Sequence, residues 1–230
     1  MKFYAKPLTA AGILTAAGLA LTGCSGSGSD SAYFDGKSAG TIADEAMAAT
    51  KSAKSVRVTT EGVQQGQKST ATFEVAPSGS CRTTMVLPSV GKVESVTADG
   101  AAYSKGGPAY MKVVLGSEAA AKDAAGRWVK SPEKPKESTC RIEALFKKDA
   151  LKGATRGADS QVDGHKTATL EKSEQGGKST IHVATEGKPY ILRVVTEGAS
   201  KTTATFSSFN SPIEVAAPPA AEVVEGKPQS

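Results

Sequence analysis

Five side chains of this chain have the chemistry to hold a metal, exchange thiols or move protons near neutral pH: Cys24, Cys81, Cys140, His165 and His182. The two histidines fall on separate expected elements, and no His, Asp or Glu stands at ligand spacing to join them. Strand phase sets His182 on the side opposite Ile181 and Val183, so both histidines read as solvated or edge residues. Serines are numerous, but none sits in a GxSxG elbow, and there is no phosphate-binding loop or dinucleotide fingerprint. The expectation is a protein that is not an enzyme and carries no cofactor and no metal. The remaining enzymatic alternative, a hydrolase acting on cell-wall material, needs His165 or His182 to approach a Ser or Asp in space.

Cys24 closes a segment of its own. Lys2 and Lys6 precede an uncharged run from Leu8 to Leu21, too short to span a bilayer comfortably, which is the pattern of an export signal over residues 1–23. Leu21-Thr22-Gly23-Cys24 resembles a bacterial lipobox, whose cysteine receives diacylglycerol, and palmitate with it, and becomes the first residue after cleavage. The alternative is an ordinary secretory peptide cut near an incidental cysteine. The lipobox reading places the chain on the outer face of the cytoplasmic membrane, with the membrane as a partner through the lipid at Cys24. Cleavage removes two lysines and no acid, so the net charge falls from +5 to +3. That mild bias, without basic and aromatic clusters, is no nucleic-acid footprint. Cys81 and Cys140 remain as one pair in an exported chain, where a disulfide between them is the preferred reading and two separate buried thiols the alternative. No CxxC spacing points to redox chemistry.

The elements that must position these residues follow from the pattern. Residues 24–40 are rich in Ser and Gly and read as a flexible tether. Thr41 can cap a helix over 41–53, whose Ile42, Ala46, Ala49 and Ala53 share one face. Period-two alternation then predicts strands over 55–61, 69–75, 81–87, 91–97, 101–105 and 110–115, with Asp99-Gly100 as a hairpin turn. A short helix is expected at 118–125, a short strand at 127–129 and an amphipathic helix at 139–150 with Cys140 in its first turn. Strands follow over 166–172, 178–185, 190–196 and 201–209, and residues 218–230 read as a disordered tail. The result is one α+β domain over 41–217: a curved antiparallel sheet of roughly ten strands over two or three short helices. Few helices with small side chains face that sheet, which leaves room for an apolar cavity. Trp128 reads as a core or lid anchor, and Met47, Met85 and Met111 as interior side chains.

In their order, these features resemble an actinobacterial lipoprotein of the LolA-like superfamily, related to the LppX/LprG group. They are the leader and lipobox, the Ala-rich helix, Ser55-Val56-Arg57-Val58, Asp99-Gly100 with Tyr103-Ser104-Lys105, Gly126-Arg127-Trp128-Val129-Lys130, Asp163-Gly164-His165-Lys166-Thr167 and the Tyr190–Val195 strand. The resemblance implies a half-barrel enclosing an apolar pocket for acyl chains of lipids, lipoproteins or lipoglycans. Carried over by position, inward strand residues Val58, Phe73, Val75, Met85, Leu87, Val113, Leu115, Ile181, Val183, Leu192 and Val194 would line it. Trp128, Ile142, Leu145 and Phe146 would cover it. The function so implied is carriage or presentation of a hydrophobic ligand. The alternative is a cargo-free structural or protein-interaction module of the cell envelope, and no protein partner is indicated.

Overall fold

The computed structural model describes residues 32–226 except 148 and 175; the leader, Cys24 and residues 227–230 lie outside the described residues. Helix α1 (Ala39–Lys51) starts two residues before the expected Thr41 cap, because Ser38 caps it instead: the Ser38 hydroxyl accepts the Thr41 amide at 3.1 Å. The expected tether therefore ends early. Ala32–Phe34 forms a 3-10 turn, and Phe34, 2% exposed, is packed into the core.

The strands are β1 (Val56–Gln64), β2 (Gln67–Val75), β3 (Cys81–Leu87), β4 (Gly91–Ala98) and β5 (Ala101–Gly106), followed later by β6 (Trp128–Lys130), β7 (Thr155–Arg156) and β8 (Ser160–Val162). The run closes with β9 (His165–Glu174), β10 (Gly177–Ala184), β11 (Ile191–Gly198), β12 (Lys201–Ser207) and β13 (Val223–Glu225). They form one curved 13-stranded sheet in the order β13-β6-β5-β4-β3-β2-β1-β12-β11-β10-β9-β7, with β8 paired to β9. Two antiparallel meanders are thus joined where β1 pairs β12. In that register Val58 stands between Phe73 and Phe206, so all three point to the concave face. Asp99-Gly100 turns β4 into β5 with φ of 53° and 73°, the left-handed pair that a two-residue hairpin requires.

Four expectations are corrected. Residues 110–115 are not a strand but helix α2 (Pro108–Leu115), followed by α3 (Glu118–Asp123). Eight residues fit either period. Pro108 in the first helical turn and Gly116 in the left-handed C-cap (φ 70°) decide for the helix. Tyr110, Met111, Val114 and Leu115 then cluster with Ala121, Ala124, Val129 and Val224, while Val113 is turned outward. The amphipathic pattern of 139–150 yields only a 3-10 turn, Ile142–Leu145. The chain extends again at Phe146, which carries that ring onto Phe206 at 5.8 Å. The sheet is mixed, because β13 runs parallel to β6. That strand also overturns the disordered reading for 218–226, since pairing with an exposed edge orders a segment whose composition alone would not.

Beneath α1, Ile42, Val56, Ile181, Val183 and Ile191 are each 1% exposed or less, and the Thr50 hydroxyl accepts the Ile191 amide at 3.0 Å. Cys81 and Cys140 are bonded, with Cα atoms 5.2 Å apart, which clips the loop after β6 onto β3. Replacing both by Ala should lower unfolding free energy in urea by about 2–4 kcal/mol. An unchanged midpoint and slope would show that the clip adds nothing to stability.

Candidate functional site

Helix α2 is the wall of the site, and its seating depends on a missing side chain. A Cβ on Gly106 would lie 2.6 Å from Tyr110 Cδ1, so only glycine lets that ring close against the end of β5. Met111, fully buried, then pins the helix to Val129 on β6. Between the C-terminal half of α2 and the sheet edge lies a cavity of about 410 Å³. It is lined by Val113, Val114, Leu115, Val129 and Pro132, with Ser104, Lys130, Ser131, Glu133 and Gly226 among them. Its volume falls in the range of small-ligand pockets. Aliphatic and polar side chains share its lining about equally, which suits an amphiphile whose chain lies against the former and whose head stays in water.

The structure divides the expected pocket residues among several places. Val113 and Leu115 line this cavity. Val58, Val75, Ile142, Ile181 and Val183 are buried in the close-packed core under α1, with Phe73, Phe146 and Val194 half-buried at its margin. Met85 and Leu87 are half-buried on β3, and Leu145 is exposed. Trp128 is not a lid. It alternates with inward Val129, so it faces the convex side, where Lys105 Nζ lies 5.7 Å from its ring. Leu192 is displaced by a bulge: Val183 pairs Ile191 while His182 pairs Arg193, leaving Leu192 as the extra residue. It lines a second cleft with Val162, Tyr190 and Phe209, the last two stacked at 4.0 Å. Sequence reasoning missed Ser104, Val114, Val129 and the 130–133 turn. Helical phase for α2 would have found Val114. No local signal marks Gly226, whose contact with residue 130 joins positions far apart in the chain.

The structure does bring one of the two histidines to a serine. Ser160 Oγ lies 2.9 Å from His182 Nδ1, and 2.9 and 3.1 Å from the hydroxyls of Thr167 and Thr169. His182 is therefore not solvated: burial, and then the Arg193 guanidinium, hold its pKa below the ordinary value. Arg193 is itself bound through both oxygens of Asp163, at 2.9 and 3.1 Å. The nearby carboxylate is thus committed to Arg193, and the arrangement serves as a polar ladder across β8, β9 and β10. His165 is exposed at the start of β9. Among the described residues no three His, Cys, Asp or Glu side chains converge to hold a metal, and no helix is long and apolar enough to cross a membrane.

This is an α+β half-barrel of one open, curved sheet over short helices. It is similar in structure to LprF from Mycobacterium bovis, with a TM-score of 0.53 and 15% identity over 78% of this chain and 96% of LprF. The Mycobacterium tuberculosis lipoprotein LppX aligns with a TM-score of 0.49 and 13% identity over 76% of this chain and 97% of LppX. At these identities the likeness is one of fold. No family model and no curated sequence matches the chain.

Because His182 has a lowered pKa when folded, the unfolded chain takes up its proton first as pH falls. Its contribution to stability is complete above about pH 6.5 and is lost as pH drops through the lower folded value. His182→Gln should flatten the fall in urea stability between about pH 7 and pH 5. Equal slopes for the two proteins would contradict this assignment.

Proposed function

We propose that the protein is an extracytoplasmic lipoprotein, anchored through Cys24 to the outer face of the cytoplasmic membrane, that holds the acyl part of a lipid or lipoglycan. The observation that carries this reading is the cavity of about 410 Å³ between α2 and the sheet edge, with valine, leucine and proline among its lining residues. The lipobox and the fold shared with LprF support it. Apolar burial supplies affinity for the chain at about 25 cal/mol per Å² removed from water, before association costs are met. Ser104, Ser131 and Glu133 meet the polar end. On this reading the protein carries or presents its ligand and performs no covalent chemistry on it.

A second reading, a cargo-free envelope module, draws on the core beneath α1, where five aliphatic side chains are each 1% exposed or less. The two readings differ at α2. Val113 is 76% exposed beside the cavity, so Val113→Asp should leave the melting midpoint within a degree or so. In the full chain carrying Cys24→Ser, the same change should weaken binding of cis-parinaric acid about tenfold, by setting a carboxylate against the apolar chain. No saturable fluorescence in either protein would favour the cargo-free reading. Anchoring is checked separately: cells given labelled palmitate should incorporate it into the wild-type chain and not into Cys24→Ser. Equal labelling of both would remove Cys24 as the anchor.

A further inference from the structure

The C-terminal segment is fastened firmly at one end and lightly at the other. It leaves β12 in the middle of the sheet and adds β13 at the far edge, with β1 to β6 lying between the two strands. At strand spacing this is about 33 Å along the sheet, crossed by residues 208–222. The near end is pinned beside α1. Asn210 Oδ1 accepts the Lys54 amide at 2.8 Å, the Ser55 hydroxyl donates to Ser211 O at 2.7 Å, and Ile213 is 9% exposed. Pro212, Pro218 and Pro219 supply no N–H to hold the crossing in place.

The far end makes three register pairs, Val223 with Trp128, Val224 with Val129 and Glu225 with Lys130, in the parallel arrangement that is the weaker kind. Its ion pairs, Glu225 with Lys130 at 3.1 Å and Glu222 with Lys105 at 3.9 Å, are solvent-exposed and so add little. Only Val224 enters an apolar cluster, and it is half-buried there. Yet this light end supplies part of one wall of the cavity. Gly226 donates its N–H to Lys130 O at 2.8 Å and lines the pocket. A Cβ there would lie 2.6 Å from that oxygen and 3.3 Å from Pro132 Cδ, so the glycine sits hard against the wall.

We propose that residues 210–226 form a strap whose terminal strand β13 undocks from β6 to admit and release the apolar ligand, hinged at the Asn210–Ser211 anchor. This rests on the ligand-binding reading and adds its gate. A segment with few buried contacts, joined to a firmly held anchor, opens locally without unfolding the sheet.

The test uses the full chain with Cys24→Ser and two strap variants, Gly226→Val and Val224→Asp, so that misfolding of one does not decide the matter. Hydrogen exchange should release the Gly226 amide well before the Ser131 amide, which bonds Ala102 O on the β5 side at 2.8 Å. Stopped-flow mixing with cis-parinaric acid should show both association and dissociation faster by about tenfold or more in each strap variant. Binding seen only in the variants would equally support the gate. Exchange of Gly226 in step with Ser131 would overturn the strap, and so would unchanged probe rates in both variants, while leaving ligand binding intact. Absence of probe binding in all three proteins, with strap amides still exchanging early, would instead remove the ligand reading and the gate with it.

Discussion

A single sheet with one face to hide sets the terms for this molecule. The face is aliphatic where β1, β2 and β12 meet, with Val58 between Phe73 and Phe206, and it must be covered by three short helices and a loop. Helix α1 manages this with small residues. Ala43 and Ala46 let it lie close to the strands, and Ile42 fills the space between. Each large aliphatic side chain so buried contributes on the order of 1.5–3 kcal/mol. The Thr50 hydroxyl takes up the Ile191 amide, so the closest approach of helix to strand leaves no orphaned donor there. The disulfide brings the loop after β6 into the cover, placing Ile142 and Phe146 against the same core. Helices α2 and α3 cover the opposite end with a separate cluster around Met111. The cover is therefore made in two pieces, and the cavity lies within the second.

Much of this was legible in the chain. Alternation located β1 to β5 and β9 to β12, and strand phase separated His182 from the buried Ile181 and Val183. The misreadings have distinct physical causes. Residues 110–115 are too few to separate a period of 2 from 3.6, and the terminal Pro and Gly carried the decision. Trp128, expected as a core or lid anchor, alternates with inward Val129 and so takes the opposite face of the sheet. Leu192 lost its expected side to a bulge that nothing local announces. The strand at 223–225 exists only because a distant edge is available to receive it.

The site was legible only in part, for the same reasons. Val113 and Leu115 were named as lining residues on the assumption of a strand, and they line the cavity as parts of a helix. The aliphatic residues named on β1, β2 and β10 turned out to be core, because α1 sits low enough to fill the space above them. The approach of Ser160 to His182 was invisible in the sequence, since β8 folds back onto β9 off the main strand order. Its histidine is kept neutral more readily than a solvated one, and its neighbouring Asp163 is held by Arg193. The proposed function rests on the groove at the sheet edge, where α2 and the turn after β6 bring aliphatic and polar side chains together.

The most direct measurement is to map the bound chain. The full chain carrying Cys24→Ser is mixed with a diazirine-bearing fatty acid, irradiated and digested, and the labelled residues are read by mass spectrometry. The account predicts saturable labelling confined to residues 113–115 on α2 and 129–133 after β6, competed by unlabelled fatty acid. Labelling centred on the cleft at Tyr190 and Leu192, or non-saturable labelling spread over the surface, would contradict it.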